Sequence, residues 1–515
     1  MKISNVHIHN FRSIRNIEFA ISHEELVSVV LVGANDTGKS NILKALKFAL
    51  IKSQQLQEED YPEHPVEKDF PGNYDIWVEL TFKDITNIEY RWFEQENLIR
   101  KDGSIRIRKI VKDIAMNREK CSQYQIYKEE CNKWEILGKG SILLPKLYHL
   151  TASRSLDTET TKLATLLIKE LRKQLNENEL EKEIRKLEWN IKKLLDKWDP
   201  LWDVRINVVK SEHTSEDQET WKIHLKWLET DRKQHGDGIQ HAVLFALLKI
   251  WSESKMFRSC SMVFVIEEPE LFLHPHIQRV LKRELDSLVA DSERHRQVFI
   301  CSHSPVFINL EYYRSIFVTF KTTQWPTIQT CIRRCTKKLF DDDEKKIFNM
   351  TYWINPDRGE LFFSRKVILV EGQTDKVIIP LLAKKLGIVR GDYTIIDCGG
   401  KPGIPNYINL LNEFEIPYVA VYDKDHQAET FADIENIINE KIATPSVIFD
   451  NKIEEEIGIY NKGKRNKPYE ALMHVNASGF SMSGSLRKKI EIIYSEAKNN
   501  FDQTGGTEHD DYDSH

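Results

Sequence analysis

The chain lacks a general excess of positive charge. Its 515 residues carry 74 Lys and Arg against 79 Asp and Glu, a formal net charge of −5 at pH 7. Neutralising a phosphate backbone takes clustered Lys and Arg, so any nucleic-acid contact must come from a local patch. Cysteine is sparse too. The seven are Cys121, Cys131, Cys260, Cys301, Cys331, Cys335 and Cys398, odd in number, scattered and without a C-x-x-C pair. That argues against a disulfide framework and a thiolate zinc site, and it fits a reducing cytoplasm. No apolar run approaches the length that spans a bilayer. The chain opens on a strand-like segment with no secretory leader, so neither export nor a membrane partner is expected.

What is present reads as a multidomain globular protein. Hydrophobic residues make up 41% and charged residues 30% of the chain, an ordinary balance. The length exceeds one hydrophobic core, which predicts two or three domains. Residues 1–50 read strand, strand, loop, helix. Ile3, Val6 and Ile8 precede Asn10-Phe11-Arg12-Ser13, and Ile17 and Phe19 follow. Leu26 to Val32 is a nearly continuous apolar run, as in a strand buried on both faces. Ile42, Leu43, Leu46 and Leu50 then share a helix face.

Residues 51–72 read as a surface loop and 73–113 as antiparallel strands, with Asp102-Gly103 as a hairpin turn. The basic set Arg106, Arg108, Lys109 and Lys112 is taken as a solvated strand face in preference to a DNA contact. Within the charged helical stretch 157–198, Leu180, Ile184, Leu187, Ile191 and Leu194 form a short coiled-coil-like seam. Two readings stand for it: an inserted hairpin that pairs protomers, or a helix lying on its own domain. Residues 239–250 read as an apolar helix, and 262–266 and 298–300 as buried strands. Residues 320–360 carry no strong motif and read as passage between domains. From Lys366 strand and helix alternate again, which predicts a second α/β unit.

Two places carry chemistry. Gly33-Ala34-Asn35-Asp36-Thr37-Gly38-Lys39-Ser40 matches G-x-x-x-x-G-K-[ST] between a buried strand and a helix. Backbone N–H groups of such a loop turn inward around phosphates; Lys39 can reach the β and γ phosphates, and the Ser40 hydroxyl can ligate Mg²⁺. Downstream, the apolar strand 262–266 ends in Glu267-Glu268-Pro269-Glu270. A strand that delivers acids at its C-terminal end positions Mg²⁺ in P-loop folds. Glu267 is assigned to the metal and Glu268 to the attacking water.

The second place lies in the later α/β unit. The strand Ile368-Leu369-Val370 ends in Glu371-Gly372, and Asp375 begins a helix. The strand 419–422 ends in Asp423-Lys424-Asp425. Carboxylates at the C-terminal ends of neighbouring parallel strands converge on one sheet edge. Such hard oxygen donors suit Mg²⁺ or Mn²⁺, and a pair of these ions activates water for phosphodiester cleavage. The segment Lys462 to Lys467 is the best local basic patch for a DNA backbone; a solvated loop is the other reading. One of Glu454, Glu455 and Glu456 is a further candidate for the metal shell, and Glu455 is chosen.

Asn10-Phe11-Arg12-Ser13, the Gly33–Ser40 loop, Gly236-Asp237-Gly238-Ile239-Gln240, Glu267-Glu268-Pro269-Glu270 and Ser302-His303-Ser304-Pro305 occur in that order. Together they resemble the ABC-type ATPase half of the OLD (overcoming lysogenization defect) nucleases, relatives of SMC-like ATPases. The resemblance implies that Gly236 and Gly238 form the signature segment, which contacts the γ-phosphate on the other protomer's Walker A loop. ATP is then sandwiched between two heads. It makes His303 the switch histidine. Three features depart from the pattern: Glu267 stands where Asp is usual, the signature is not LSGG, and no Q-loop glutamine can be placed. ATP binding is therefore expected with more assurance than fast hydrolysis. Arg154 resembles a further family position.

The paired Glu-Gly and Asp-x-Asp, with Cys398-Gly399-Gly400-Lys401 between them, resemble the TOPRIM domain of OLD nucleases and topoisomerases. Asp375 departs from the Glu of many relatives. The resemblance makes Lys467 the lysine that stabilises the reacting phosphate. No tyrosine is placed as a topoisomerase nucleophile, so hydrolysis is favoured.

The resemblance runs from Met1 to about Ala471. It implies an α/β chain: an ABC/SMC-like head over 1–345 with a helical insertion at about 157–200, a connector at 346–363, and a Rossmann-like TOPRIM domain at 364–475. A C-terminal helix at 476–500 and a disordered acidic tail at 501–515 complete it. The implied activity is ATP-regulated, Mg²⁺- or Mn²⁺-dependent endonuclease action on double-stranded DNA. The implied state is a cytoplasmic homo-oligomer, dimer or tetramer. Anti-phage defence with a partner protein, as in Gabija-type and retron-associated systems, is the analogy for its role. From another class comes an ATP-switched sensor or scaffold with a silent TOPRIM domain, against which Glu371, Asp423 and Asp425 argue. A primase-like nucleotidyl transferase lacks its zinc and primase modules.

Overall fold

The computed structural model describes residues 1–22, 27–68, 71–112, 114, 121–137, 142–150, 160, 164–165, 168, 171–172, 175–196, 202–210, 219–227, 243, 245–247, 249–250, 261–271, 273–291, 295–324, 327–340, 356–424, 429–443, 446–460 and 467–496. The chain divides into two compact units, Met1–Ile332 and Arg333–His515. No helix among the described residues is long and apolar enough to cross a membrane.

The first unit opens with β1 (Lys2–Phe11) and β2 (Ile14–Ala20), an antiparallel hairpin in which Ile8 faces Ile17. Its turn holds Asn10 and Arg12 in the left-handed region, each at φ 52°. The apolar run ends in β3 (Val29–Val32), buried at every residue. Next come α1 (Lys39–Leu50), β4 (Ile76–Lys83) and α2 (Asn87–Gln95). The helix α2 was not expected inside the 73–113 strand region. A capping box starts it: the Thr86 hydroxyl accepts from the Glu89 N–H, and the Glu89 carboxylate accepts from the Thr86 N–H. Asp102-Gly103 does form a turn, with Gly103 at φ 74°. It leads into β5 (Ile105–Val111), which pairs with β4 across the intervening helix, so it is not a tight hairpin.

β6 (Gln123–Lys128) and β7 (Lys133–Leu137) extend an antiparallel sheet of order β2-β1-β4-β5-β6-β7. Strand alternation divides the basic set. Lys109 points inward and is buried, its ammonium donating to the carbonyls of Ile51 (2.9 Å) and Gln54 (2.6 Å) just beyond α1. Arg106 and Arg108 point outward but are half-buried, with the Arg108 guanidinium 3.9 Å from the Trp134 ring centroid. A purely solvated face is not what forms.

The remaining elements of this unit are β8 (Lys146–Leu150), α3 (Glu177–Leu195), the hairpin β9 (Trp202–Lys210) and β10 (Glu219–Trp227), β11 (Met262–Glu267), α4 (Pro275–Ala290), β12 (Arg296–Cys301), β13 (Ile316–Gln324) and β14 (Thr327–Arg334). A second sheet has the order β14-β13-β3-β12-β11-β8, parallel from β13 to β8. The apolar side of α1 shares one core with inward residues of both sheets, among them Ile8, Val78, Ile107, Val265 and Phe299. In α3, Leu180, Leu187 and Ile191 are buried and the helix packs on β9. Three of the five seam residues are thus covered within the single chain. β13 and β14 occupy the first part of the stretch taken as passage between domains and add two strands to the second sheet.

The second unit is a parallel sheet with helices. In chain order it contains β15 (Lys366–Val370), α5 (Gln373–Lys385), β16 (Tyr393–Asp397), α6 (Ile404–Glu413), β17 (Tyr418–Asp423), α7 (Glu429–Lys441), β18 (Val447–Phe449), α8 (Ile453–Glu456), α9 (Lys467–Asn476) and α10 (Gly484–Ile493). Strand order is β16-β15-β17-β18, every pair parallel. The C-terminal helix joins this core through Leu486, Ile490 and Ile493. The buried Lys366 ammonium holds the end of α10, donating to the carbonyls of Ile493 (3.0 Å) and Ser495 (3.1 Å). The tail 501–515 lies outside the described residues.

Candidate nucleotide and carboxylate sites

Parallel pairing brings the C-terminal ends of β3, β12 and β11 to one edge of the second sheet. That edge receives the Gly33–Ser40 loop, Ser302-His303 and Glu267-Glu268 together. Asn35, Gly38, Lys39, Ser40, Glu268 and His303 line one open cleft of about 410 Å³. The loop fits tightly against β13 and β14. A Cβ on Gly33 would stand 2.3 Å from the Thr319 carbonyl oxygen, and one on Gly38 2.1 Å from Thr330 Oγ1. Gly38 also sits at φ 99°, which a side chain resists. Thr37 Oγ1 pairs with Thr319 Oγ1 at 2.7 Å, and Ser13 Oγ bridges Thr330 Oγ1 (2.7 Å) and the Asn41 amide (2.8 Å). The Asn10-Phe11-Arg12-Ser13 turn therefore braces the loop, while Arg12 pairs with Asp60 at 2.7 Å.

Lys39 donates to the carbonyls of Gly33 (2.9 Å) and Ala34 (2.7 Å), and burial pushes its pKa down. Glu268 is held at φ 48°, its N–H donating to the Cys301 carbonyl at 2.7 Å. A non-glycine residue in that region costs energy and turns the carboxylate out of the strand line. Glu270 anchors the Ser302-His303 segment: it accepts from Ser302 Oγ at 2.9 Å and from the His303 N–H at 2.6 Å. Burial raises the Glu270 pKa. Burial and the nearby Lys39 charge lower that of His303. Glu267 accepts a hydrogen bond from His149 on β8 at 2.7 Å.

Sequence reasoning missed four residues here: His149, Thr319, Thr330 and the cleft-lining Lys321. Thr319, Thr330 and Lys321 sit in no motif, and His149 lies in the segment that leads to Arg154. Gly236, Gly238 and Arg154 lie outside the described residues.

In the second unit, Glu371 follows β15 and Asp423 ends the neighbouring β17. Glu371 Oε1 accepts the Asp423 backbone N–H at 2.8 Å. Asp375, in the first turn of α5, accepts from the Gly372 N–H at 3.2 Å. The glycine turn after β16 packs against the same point, with the Gly400 N–H donating to the Glu371 carbonyl at 2.7 Å. It delivers the fully buried Lys401, whose ammonium donates to the Asp423 carbonyl oxygen and to Glu435 Oε1 (2.9 Å) and lies 3.8 Å from Glu371 Oε1.

The carboxylates repel one another. Burial, then Asp375, Glu371 and Glu454, push Asp423 up to about 8, although Lys401 opposes this. Burial, then Glu371, Glu454 and Asp397, push Asp375 up to about 7 against the Gly372 hydrogen bond. A further acid of this neighbourhood is Glu454, which lies 3.6 Å from Lys467 Nζ. Glu455, the residue chosen from sequence, is exposed. Asp425 and residues 461–466 lie outside the described residues. No three His, Cys, Asp or Glu side chains among the described residues stand in a metal-holding arrangement. The donor set itself, acids crowded enough to resist ionisation beside one buried ammonium, suits a hard divalent cation.

Residues 1–153 and 141–308 match the family model of the AAA ATPase domain, and residues 362–425 match that of the overcoming lysogenization defect protein-like TOPRIM domain. The OLD nuclease of Thermus scotoductus (strain ATCC 700910 / SA-01) is 28% identical over 209 residues, 39% of this chain and only 38% of that protein. The Old nuclease of Escherichia phage P2 is 23% identical over 482 residues, 82% of this chain and 77% of that protein. Endonuclease GajA of Bacillus cereus (strain VD045) is 23% identical over 469 residues, 82% of this chain and 75% of that protein.

Proposed function

We propose a function from one premise: the chain belongs to the AAA ATPase domain family and continues into an OLD-like TOPRIM domain. It is an ATP-regulated, divalent-metal-dependent endonuclease that nicks or cuts double-stranded DNA. The observation that carries this is the crowding of Glu371, Asp375 and Asp423 at the C-terminal edge of a parallel sheet, with Asp375 and Asp423 pushed toward neutral pH. Acids so placed gain most from a cation.

Glu371, Asp375 and Asp423, with Asp425, would hold Mg²⁺ or Mn²⁺. When bound, such an ion polarises a phosphate oxygen and lowers the pKa of water. Lys467, tied to Glu454, offers a positive charge to the phosphate as negative charge develops. In the head, Lys39 and the loop amides bind the ATP phosphates, Ser40 and Glu267 serve its Mg²⁺, and Glu268 polarises the attacking water. Gly236 and Gly238 would contact ATP held by a second copy, so the working state is at least a dimer. Action in the cytoplasm in anti-phage defence, beside a partner protein, is the accompanying biological reading.

The test is cleavage of supercoiled plasmid by purified protein with Mg²⁺ or Mn²⁺, with and without ATP. Wild type is expected to nick or linearise the plasmid and Asp423→Ala is not; Lys39→Ala reports the sign of nucleotide control. A wild type inactive across metals and nucleotide states would sink the nuclease reading and favour an ATP-switched scaffold.

A further inference from the structure

We propose that His149 is a positioning residue for Glu267, and through it for the divalent cation of bound nucleotide. The inference rests on the ATP-binding reading of the head. It starts from sheet geometry. β8 and β11 are parallel neighbours, with His149 opposite Val265. Glu267 lies two residues beyond Val265, so alternation puts its side chain on the same sheet face as the imidazole. The two groups meet diagonally, His149 Nε2 at 2.7 Å from Glu267 Oε1, with their side chains only 7% and 15% exposed.

An ionised carboxylate only accepts, so the proton of this bond sits on Nε2. That bond occupies one direction of Oε1 and fixes the side-chain torsions. By this inference Oε2 is the oxygen that serves the cation. Glu267 has one more rotatable bond than the aspartate usual at this position, and an outer partner is what restrains such a ligand. The neighbouring Tyr148 stacks on Phe264 with ring centroids 5.6 Å apart, which keeps the end of β8 in register with β11. The ring thus supplies the orientation that the longer acid lacks.

Binding of trinitrophenyl-ATP to the full chain, in EDTA and in Mg²⁺, tests this without reading catalysis. Wild type, His149→Phe and His149→Gln are compared; the glutamine amide reaches the position of Nε2. In EDTA the three are expected to bind alike. Mg²⁺ is expected to tighten wild type and His149→Gln, and His149→Phe should lose about tenfold of that tightening. Should the phenylalanine protein fail to fold, His149→Asn, whose amide falls short of Nε2, is expected to show the same loss. A Mg²⁺ gain in His149→Phe or His149→Asn equal to wild type overturns the role of His149 and leaves the ATP site standing. A wild type that binds no nucleotide overturns the ATP reading and this inference with it.

Discussion

Protons, in the absence of a cation, must relieve the repulsion among the TOPRIM acids. Asp375 and Asp423 are held at about 7 and about 8 in the folded chain, against about 3.9 for a free aspartate. An acid with a raised folded pKa binds more protons folded than unfolded between the two values. The native state therefore loses stability as pH climbs through that window, from about 4 to about 8. Two independent groups would give about 2.7 kcal/mol per pH unit. Because they repel each other, the cluster keeps about one extra proton near neutrality. That leaves about 1.4 kcal/mol per unit, or roughly 3 kcal/mol between about pH 5 and pH 7. For a unit of this size the change is roughly 6–12 °C in Tm.

The assay is calorimetric melting in EDTA across that pH range, for wild type and for the isosteric Asp423→Asn. The difference between the two isolates the cluster from histidines elsewhere. Wild type is expected to melt lower as pH rises, Asp423→Asn to show a shallower slope, and Mg²⁺ to raise the wild-type Tm more at about pH 8 than at about pH 5. Equal slopes in the two proteins would refute the reasoning, as would a Mg²⁺ effect independent of pH.

Gly38→Ala puts a methyl 2.1 Å from Thr330 Oγ1 at φ 99°, so nucleotide affinity measured by calorimetry should fall by more than about tenfold. Glu454→Gln should slow plasmid cleavage about tenfold whereas Glu455→Gln, at an exposed position, stays within about twofold of wild type. Lys109→Met strips the ammonium from the carbonyls beyond α1 and should cost about 1–3 kcal/mol in urea unfolding; a loss under about 0.5 kcal/mol would mean that water replaces it.

The motif-bearing part of the fold was legible because each motif hangs on a local pattern. A continuous apolar run followed by glycine can only be β3 and its loop, and acids after apolar strands mark the edge that collects them. Where local signals competed, the reading slipped. Asn87–Gln95 carries three aromatic residues, Tyr90, Trp92 and Phe93, which read as strand, but Thr86 and Glu89 cap it as a helix. Ile316 to Gln324 carries no motif, and its role became visible only once it lay beside β3. The basic set shows the same limit at one residue's resolution: Arg106 and Arg108 share a parity, and Lys109, one position on, is committed to the interior.

The site was legible along strands and illegible across them. Lys39, Glu267, Glu268, His303, Glu371 and Asp423 all lie at or just past strand ends, where chain order alone supplies the context. His149, Thr319 and Thr330 act sideways, and sideways neighbours depend on sheet order. In β14-β13-β3-β12-β11-β8 only two of the five adjacencies follow the chain, and His149 is 118 residues from Glu267. No periodicity or spacing encodes that pair. Only β11 lying between β12 and β8 puts an imidazole beside the acid, so the residues that tune this site are to be sought on the lateral partners of the motif strands.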